Sequence, residues 1–404
     1  MNTHVSSFMG IMPDTPRVKL AKRCRYPEMN EWAESVLSIR KHTFGYPCNQ
    51  NIELEKFYDW YFANNLESVC INNVGDPCAV VSVIPSTHAF ECDVLNFFAP
   101  LFGFDIEDMW GMVTNSGTDS NNTGIYFGNN FLTRLTGQRP ICYVSDEAHY
   151  SNVRLAHLQN LDTRVIKTDS HGMMLPDELE KQLDTTRPCL MVYAMGSTFK
   201  GAIDDMPALN AVLARYPQMP VYRHVDAALF GGYLPFTVHR DLLDRTKIPY
   251  ESVAVSGHKF FGVDEPSGFF ITTRSVYDSQ SQHQIPYLNA EMRMINCSRP
   301  YSGALKLWWM IHEVGYDRWC EQAAGILENT EYMTHRLDEI GYPYFVNKYS
   351  NTVVFRRPSD TIVQKYALAC GYDKRLGGAL SHGVVMQHVD KAFIDQFVED
   401  LQNQ

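Results

Sequence analysis

The sequence lacks long apolar runs, clusters of basic residues and a secretion signal. No run of eighteen apolar residues occurs, so we expect no membrane span. The formal net charge of −11 argues against a nucleic-acid partner, which would call for a basic surface. The N-terminus does not show the charged and then apolar pattern of a signal peptide. We therefore expect a cytoplasmic protein without a membrane or nucleic-acid partner.

The ten cysteines contain no Cys-x-x-Cys pair. Several stand in apolar runs, among them Cys142 and Cys189. This placement favours reduced core residues over a disulfide framework or a zinc site.

The pattern of strands and helices divides the chain into parts. At 404 residues the chain is long enough for a large and a small domain. Residues 1–50 are predicted to be an N-terminal segment, and residues 51–296 a large domain. Strand-like runs alternate with helical runs there, which predicts an α/β fold with a mostly parallel sheet. Residues 297–404 are predicted to form a small α+β domain, with helices at 302–314, 316–340, 360–370 and 391–402 and strands at 352–356 and 383–386.

A basic pair follows a short apolar strand at residues 253–255. Ser-Gly-His-Lys occupies positions 256–259 directly after it. Lysine is the side chain that forms a Schiff base with an aldehyde cofactor, and it needs local help to lose its proton. Ser256 and His258 carry donors suited to an anion such as a phosphate. Taken alone, Lys259 fits an ordinary surface loop better.

An acidic residue earlier in the chain favours a cofactor site over an ordinary surface loop for Lys259. The apolar run 219–222 predicts a buried strand, and His-Val-Asp-Ala-Ala follows at 224–228. Asp226 thus stands at a strand end, where α/β sheets place ligands. A carboxylate there keeps the ring nitrogen of pyridoxal phosphate protonated and makes the ring an electron sink. Asp226 and Lys259, in this order and spacing, indicate a site for pyridoxal 5'-phosphate.

A turn of small polar residues at 114–121 lies between a predicted strand and a predicted helix. Small residues let backbone amides approach an anion, and a helix N-terminus favours negative charge. Ser116, Gly117 and Thr118 are therefore candidates for binding the cofactor phosphate. A capped helix start, with Thr118 or Asp119 as the cap, explains the turn equally well.

Two further strand ends carry candidate side chains. His149 follows the strand predicted at 141–144, and it can stack on a flat ring and exchange a proton. On its own, such a histidine is usually a polar loop residue. Hydroxyl groups in the segment 195–201 follow another predicted strand and can reach the same ligand.

Together these residues resemble the group II pyridoxal-phosphate-dependent amino-acid decarboxylases. The likeness is greatest to the branch that holds bacterial histidine decarboxylases and plant serine decarboxylases, and it covers nearly the whole chain from residue 45 onward. The matching positions are Asn72-Asn73-x-Gly75-Asp76-Pro77, Thr114-Asn115-x-Gly117-Thr118, 149–151, 200–205, Asp226, 256–259, 298–299 and 352–355.

This resemblance implies a fold-type I, aminotransferase-like homodimer with its active site at the subunit interface. It assigns Lys259 as the lysine that binds the cofactor covalently and Asp226 as the partner of the pyridine nitrogen. His149 would stack on the ring. The phosphate would be held by Ser116, Gly117, Thr118, Ser256 and His258.

The resemblance also implies an amino-acid substrate that loses CO2 and becomes an amine. Histidine is the first candidate substrate and serine the next. Asn72, Asn73 and Asp76 would bind the substrate. Residues 281–298 would form a mobile catalytic loop in which Tyr287 protonates the carbanion left after CO2 departs.

The sequence departs from the family pattern at several positions near the pocket. Asp119 stands where the family usually has a glutamate, and Ser120 replaces a glycine. Met292 stands where the loop normally carries an acid, and Asp264-Glu265 replaces part of the segment after the lysine. These departures bear on the substrate more than on the chemistry.

Other functions fit the residues less well. A decarboxylation-dependent aldehyde synthase of the same fold is associated with loss of the loop tyrosine, and Tyr287 is present. A decarboxylase for a non-standard amino acid stays open, whereas the family likeness disfavours a transaminase. A non-catalytic binding protein is disfavoured because every cofactor position is filled. A metal hydrolase is disfavoured because the histidines lack the helical His-Glu-x-x-His spacing.

Overall fold

The computed structural model describes residues 29–79, 84–286 and 290–404. The helices are α1 Met29–Arg40, α2 Glu55–Ala63, α3 His88–Phe98, α4 Gly117–Thr136, α5 Tyr150–Leu158, α6 Pro176–Gln182, α7 Met206–Leu213, α8 Phe230–Tyr233, α9 Arg274–Asp278, α10 Tyr301–Glu313, α11 Gly315–Glu339, α12 Asp360–Lys365 and α13 Lys391–Gln402. The strands are β1 Asn73–Val74, β2 Met109–Thr114, β3 Ile141–Ser145, β4 Asp162–Ile166, β5 Cys189–Ala194, β6 Val221–Asp226, β7 Ser252–Ser256, β8 Gly268–Thr273, β9 His283–Ile285, β10 Ala290–Met292, β11 Ser298–Arg299, β12 Tyr344–Val346, β13 Thr352–Arg356, β14 Ala369–Asp373 and β15 Gly378–Val384.

Seven strands form one sheet in the order β2-β8-β7-β6-β5-β3-β4. Neighbours from β7 through β4 pair in parallel, whereas β8 is antiparallel to both β2 and β7. Residues 257–267 join β7 directly to β8, so the chain turns back and β8 runs in the opposite direction. The expected α/β fold with a mostly parallel sheet is confirmed.

The sheet is covered on both faces, which explains its continuous apolar strands. Along β2, Trp110 and Met112 join the core cluster on the α4 side, while Met109 and Val113 join the cluster on the other. Helix α4 lies close to the sheet because Gly124 faces β6. A Cβ atom at position 124 would stand 2.2 Å from the imidazole of His224.

A second sheet, antiparallel throughout, follows in the C-terminal part with the order β12-β13-β15-β14. Helices α11, α12 and α13 contribute to its core. The helix predicted at 360–370 is wrong in its second half. It ends at Lys365, the backbone turns at Ala367 with φ of 48°, and Ala369–Asp373 pairs with β15. The strand predicted at 383–386 instead spans Gly378–Val384. The domain limits at residues 50 and 296 stay predictions.

A buried ion-pair cluster joins the two sheets. The Nζ atom of Lys200 lies 2.7 Å from Glu147 Oε1 and 2.6 Å from Asp373 Oδ2, and all three side chains are buried. Burial alone would raise the pKa of Asp373, but hydrogen bonds from Arg375 and Lys200 outweigh it and lower that pKa to about 2. The cluster therefore holds the end of β14 against the loop after β3.

Helix α1 has no buried residue. Its apolar side chains face outward, with Trp32 58% exposed and Leu37 and Ile39 each 59% exposed. In the described ranges, no helix combines the length and the apolar character that a membrane crossing requires.

Candidate active site

A cavity opens where the parallel strands of the large sheet end. It has about 900 Å³ of space, including its mouth. Carboxyl ends of parallel strands meet at one edge of the sheet, which is where such folds bind ligands. The lining residues are Pro47, Ser116, Gly117, Thr118, Asn121, His149, Ala194, Gly196, Ser197, Thr198, Asp226, Ala228, Leu229, Phe230, Ser256, His258, Lys259, Pro266, Thr352 and Val384.

Lys259 lies on the loop 257–267 between β7 and β8. The neck of this loop is closed by a 2.8 Å hydrogen bond from the Gly257 amide to the Ser267 carbonyl. Among the described residues, the Lys259 ammonium has no hydrogen-bond or ion-pair partner. Burial lowers the pKa of Lys259, although Asp226 and Cys48 act in the opposite direction. A lowered pKa increases the fraction of neutral amine, the form that attacks an aldehyde carbon.

Asp226 is the last residue of β6, and it is buried. Its Oδ2 atom accepts a 2.8 Å hydrogen bond from Asn152 Nδ2, and its Oδ1 atom accepts one of 3.3 Å from the Ala228 amide. The carboxylate is thus fixed at the cavity wall. Asn152, in the first turn of α5, was missed by the sequence reasoning. Its position three residues after His149 is a sequence signal that could have identified it as a site residue.

His149 caps the N-terminus of α5. Its Nδ1 atom lies 2.6 Å from Ser151 Oγ and accepts from the Ser151 amide at 3.4 Å. Burial lowers the pKa of His149, an effect that Asp226 opposes and Lys259 reinforces. At neutral pH the imidazole is therefore uncharged, with its proton on Nε2. His149, Asp226 and Lys259 all line the same cavity.

The N-terminus of α4 forms another wall of the cavity. Ser116 is the cap, because its Oγ atom accepts from the Asp119 amide at 3.2 Å; neither Thr118 nor Asp119 takes that role. A Cβ atom at Gly117 would lie 2.3 Å from Ser256 Oγ, so the two segments meet only because residue 117 has no side chain. The free amides of this helix start and the neighbouring hydroxyls suit an anion of phosphate size.

His258 stands beside this wall. Its Nδ1 atom donates to the Ser267 carbonyl at 2.9 Å, which fixes the ring. Burial lowers the pKa of His258, and the Ser267 carbonyl partly offsets this while Lys259 adds to it. All eight predicted cofactor contacts line the cavity: Ser116, Gly117, Thr118, His149, Asp226, Ser256, His258 and Lys259.

The residues predicted to bind substrate do not line this cavity. Asn73 Nδ2 donates to Thr87 Oγ1 at 2.9 Å, and Asp76 Oδ1 accepts from Trp110 Nε1 at 3.1 Å. Asn72 donates to Ser298 Oγ at 3.1 Å. Within one chain these polar groups bond to protein groups around β1 and β11, and their predicted substrate contacts stay a prediction.

The predicted catalytic loop contains a short hairpin of β9 and β10. Tyr287 lies outside the described residues, and its predicted role stays a prediction. Met292, one of the departures from the family pattern, is buried at the end of β10.

Cavity residues from distant parts of the chain were also missed. Thr352 and Val384 come from the small sheet, and Pro47 comes from the segment before α2. Thr352 belongs to the matching stretch 352–355, but no local pattern places it or the other two beside the cofactor motifs. In the described part of the chain, no group of three or more His, Cys, Asp or Glu side chains is arranged to hold a metal ion.

A family model described as the pyridoxal-dependent decarboxylase conserved domain matches residues 131–357. The chain is 30% identical to serine decarboxylase 1 of Oryza sativa subsp. japonica, over 99% of this chain and 80% of that protein. It is 31% identical to histidine decarboxylase of Solanum lycopersicum, over 92% of this chain and 87% of that protein. L-Methionine decarboxylase from Streptomyces sp. 590 has the same fold, with a TM-score of 0.79, 21% identity, and coverage of 93% of this chain and 94% of that one.

Proposed function

This chain belongs to the pyridoxal-dependent decarboxylases, and from that membership we propose that it converts a free L-amino acid into the corresponding amine and CO2. L-Histidine is the first candidate substrate and L-serine the next, since relatives with both activities match most of the chain. One observation carries the proposal: Lys259, Asp226, His149 and the start of α4 share one cavity.

The cavity residues fit pyridoxal 5'-phosphate, the cofactor of this family. Lys259 has a free amine for the aldehyde carbon, and Asp226 has a fixed carboxylate for the pyridine nitrogen. The phosphate would be held at the α4 N-terminus by Ser116, Gly117 and Thr118, with Ser256 and His258 beside them. When bound, the cofactor supplies an electron-withdrawing ring that stabilises negative charge at the substrate Cα.

The side chains around the ring have separate tasks. Asp226, oriented by the hydrogen bond from Asn152, would face the pyridine nitrogen. His149 contributes a neutral ring as a stacking surface, and its Nε2–H is the ring donor left over once Nδ1 is engaged by Ser151. Lys259 would hold the cofactor through its amine, and the same nitrogen would be available for proton transfer at the substrate.

The remaining predicted roles belong to the same proposal. Tyr287 would donate the proton to Cα after CO2 leaves, which favours an amine product over an aldehyde. The turn at residues 72–77 would contact substrate through a neighbouring subunit rather than within its own chain, since its side chains are absent from the lining of this cavity.

The proposal includes a cytoplasmic homodimer with the active site at the interface. The exposed apolar side chains of α1, such as Trp32 and Leu37, support a dimer in which a second copy of the chain buries them. Sedimentation velocity should give twice the chain mass. A monomer with full activity would contradict the interface site.

The decisive test offers each of the twenty amino acids to the purified, cofactor-loaded protein. Products are read by mass spectrometry, and peroxide is assayed in parallel. An amine from one amino acid without peroxide supports the proposal, and its identity decides between histidine and serine. An aldehyde with peroxide would replace it with the oxidative reaction. No product from any of the twenty would redirect the proposal to a modified or carrier-bound amino acid.

Two variants at one position provide the control. Lys259→Ala removes the amine, and Lys259→Arg keeps the charge but cannot bind the aldehyde carbon. Both should lose turnover by at least about a thousandfold, which is the scale for a nucleophile. Decarboxylation by either variant at the wild-type rate would overturn the assignment of Lys259.

A further inference from the structure

The segment after the β9–β10 hairpin reaches back to the start of α4. The Nδ2 atom of Asn296 lies 3.0 Å from Asp119 Oδ1 and 2.9 Å from Asp119 Oδ2. These two residues are far apart in sequence, and both are partly buried. The contact thus fixes the C-terminal base of the hairpin against the wall that faces the phosphate position.

Asp119 also organises the turn that precedes α4. Its Oδ2 atom accepts from the Asn115 backbone amide at 3.0 Å and from Asn115 Nδ2 at 2.7 Å. Its own amide donates to Ser116 Oγ. A single carboxylate therefore connects Asn115, at the start of the turn, with Asn296. As an acid in the first turn of a long helix, Asp119 is also favoured by the helix dipole.

The hairpin base has a second attachment on its other side. The Gly75 amide donates to the Cys297 carbonyl at 3.0 Å, and Val74 pairs with Ser298 in the β1–β11 ladder. Arg293 donates to the Gln280 carbonyl at 3.3 Å. Backbone bonds thus join the hairpin base to residues 72–77, while the Asp119 side chain joins it to the phosphate turn.

We propose that Asp119 and Asn296 are a positioning pair that couples the hairpin base to the phosphate-binding turn. The proposal rests on the proposed function, because it takes the α4 N-terminus as the phosphate site. A glutamate at position 119 would carry its carboxylate about 1.5 Å further out. It would then no longer meet Asn115 and Asn296 in this arrangement, which explains the shorter acid in this chain.

The pair is tested by breaking it and then exchanging its partners. Asn296→Asp places two carboxylates against each other, whereas the double variant Asp119→Asn with Asn296→Asp restores an amide–carboxylate hydrogen bond. Asp105→Asn and Asn403→Asp make the same charge changes at exposed positions and serve as controls. Trypsin is the structural probe, because Arg293 is the sole Lys or Arg within residues 281–298.

In Asn296→Asp we expect cleavage after Arg293, followed by mass spectrometry, to become about tenfold faster, the scale for losing a charged hydrogen bond. We expect kcat/KM to decrease by a similar factor, mainly through a lower kcat. The visible absorbance of the bound cofactor should stay unchanged. The double variant should return both quantities to within about threefold of the wild type. Wild-type protease resistance in Asn296→Asp would overturn the proposal, as would a double variant that restores nothing.

The protease measurement needs no substrate. If the amino-acid panel gave no amine, the proposed reaction would fail while the Asp119–Asn296 pair remained testable. If the panel succeeded and Arg293 stayed protected in Asn296→Asp, the pair alone would be wrong.

Discussion

Asn152 donates a 2.8 Å hydrogen bond to Asp226, and both side chains are buried. This bond determines which way the carboxylate faces at the end of β6. The cavity therefore contains an anion that is oriented before any ligand arrives, and such preorganisation lowers the cost of stabilising charge.

Replacing Asn152 tests that orientation. Asn152→Ala removes the donor and should lower kcat about tenfold, since a hydrogen bond to a charged group contributes about 1.5–3 kcal/mol. Asn152→Asp keeps the shape but sets a second carboxylate beside Asp226, so it should be worse than alanine. Steady-state kinetics and cofactor titration measure both. Equal activity in the two variants would argue that the bond does not act through the charge of Asp226.

Gly117→Ala should weaken cofactor binding. The added Cβ atom would lie 2.3 Å from Ser256 Oγ and push the two walls of the phosphate site apart. Forcing extra volume into a packed site costs about 1–3 kcal/mol, so the dissociation constant should rise at least about fivefold. Gly325→Ala in α11 is the control, because no atom lies within 4 Å of its Cβ position. Unchanged cofactor affinity in Gly117→Ala would show that the walls do not hold the phosphate.

Lys200→Met should destabilise the fold without touching the cavity. It removes the Lys200 ammonium from the buried carboxylates of Glu147 and Asp373 and leaves Arg375 as their remaining charged partner. Breaking a buried ion pair by removing one partner costs about 3–5 kcal/mol. Lys374→Met, at an exposed neighbour of Asp373, should have little effect. Denaturant titrations of the two variants at pH 7 give the comparison.

The loss of stability in Lys200→Met should depend on pH in a defined direction. The pKa of Asp373 is lowered to about 2 in the native chain, so its ion pair stabilises the fold above the ordinary aspartate pKa. This contribution, about 2 kcal/mol and shared between Arg375 and Lys200, is lost as the pH falls from about 4 towards 2. The stability gap between wild type and Lys200→Met should therefore narrow over that range. A gap that widens on acidification would contradict the pairing.

The pKa of His149 leads to a prediction for the acid limb of the pH–activity profile. Because burial lowers its pKa below the ordinary value, the ring stays neutral as the pH falls through about 6.5. The part of the kcat profile that depends on His149 should thus decline only at lower pH. His149→Phe keeps a flat ring without titrating, and it should remove that limb. An identical acid limb in His149→Phe would assign the titration to another group.

The sequence predicts the main elements closely because their signals are local. The strand Thr352–Arg356 and the helix Lys391–Gln402 lie at their predicted limits, since one is a short, largely apolar run and the other has strong helical spacing. The first two residues of β14 were assigned to a helix because its partner, β15, is formed by later residues whose pairing no local pattern reveals.

The residues of the cavity, too, could be predicted only where their sequence signals are local. Asp226 and Lys259 follow recognisable strands, so their motifs indicate their place at the sheet edge. Thr352 reaches the cavity only because the small sheet docks there, and this docking depends on contacts between distant segments. The substrate role of Asn73 rests on the family resemblance alone and stays a prediction, since the hydrogen bonds of its side chain within one chain go to protein groups.

The loop that carries Lys259 has a consequence for how the protein opens. Its neck is tied by Gly257 and Ser267, and Phe260 and Phe261 are buried in the main core. Local fluctuation cannot free this segment without removing two aromatic rings from the core, so its amides should exchange with solvent only through global unfolding. The Lys259 amine should thus lie on a slowly exchanging segment, and moving it out of the cavity would require the fold to open.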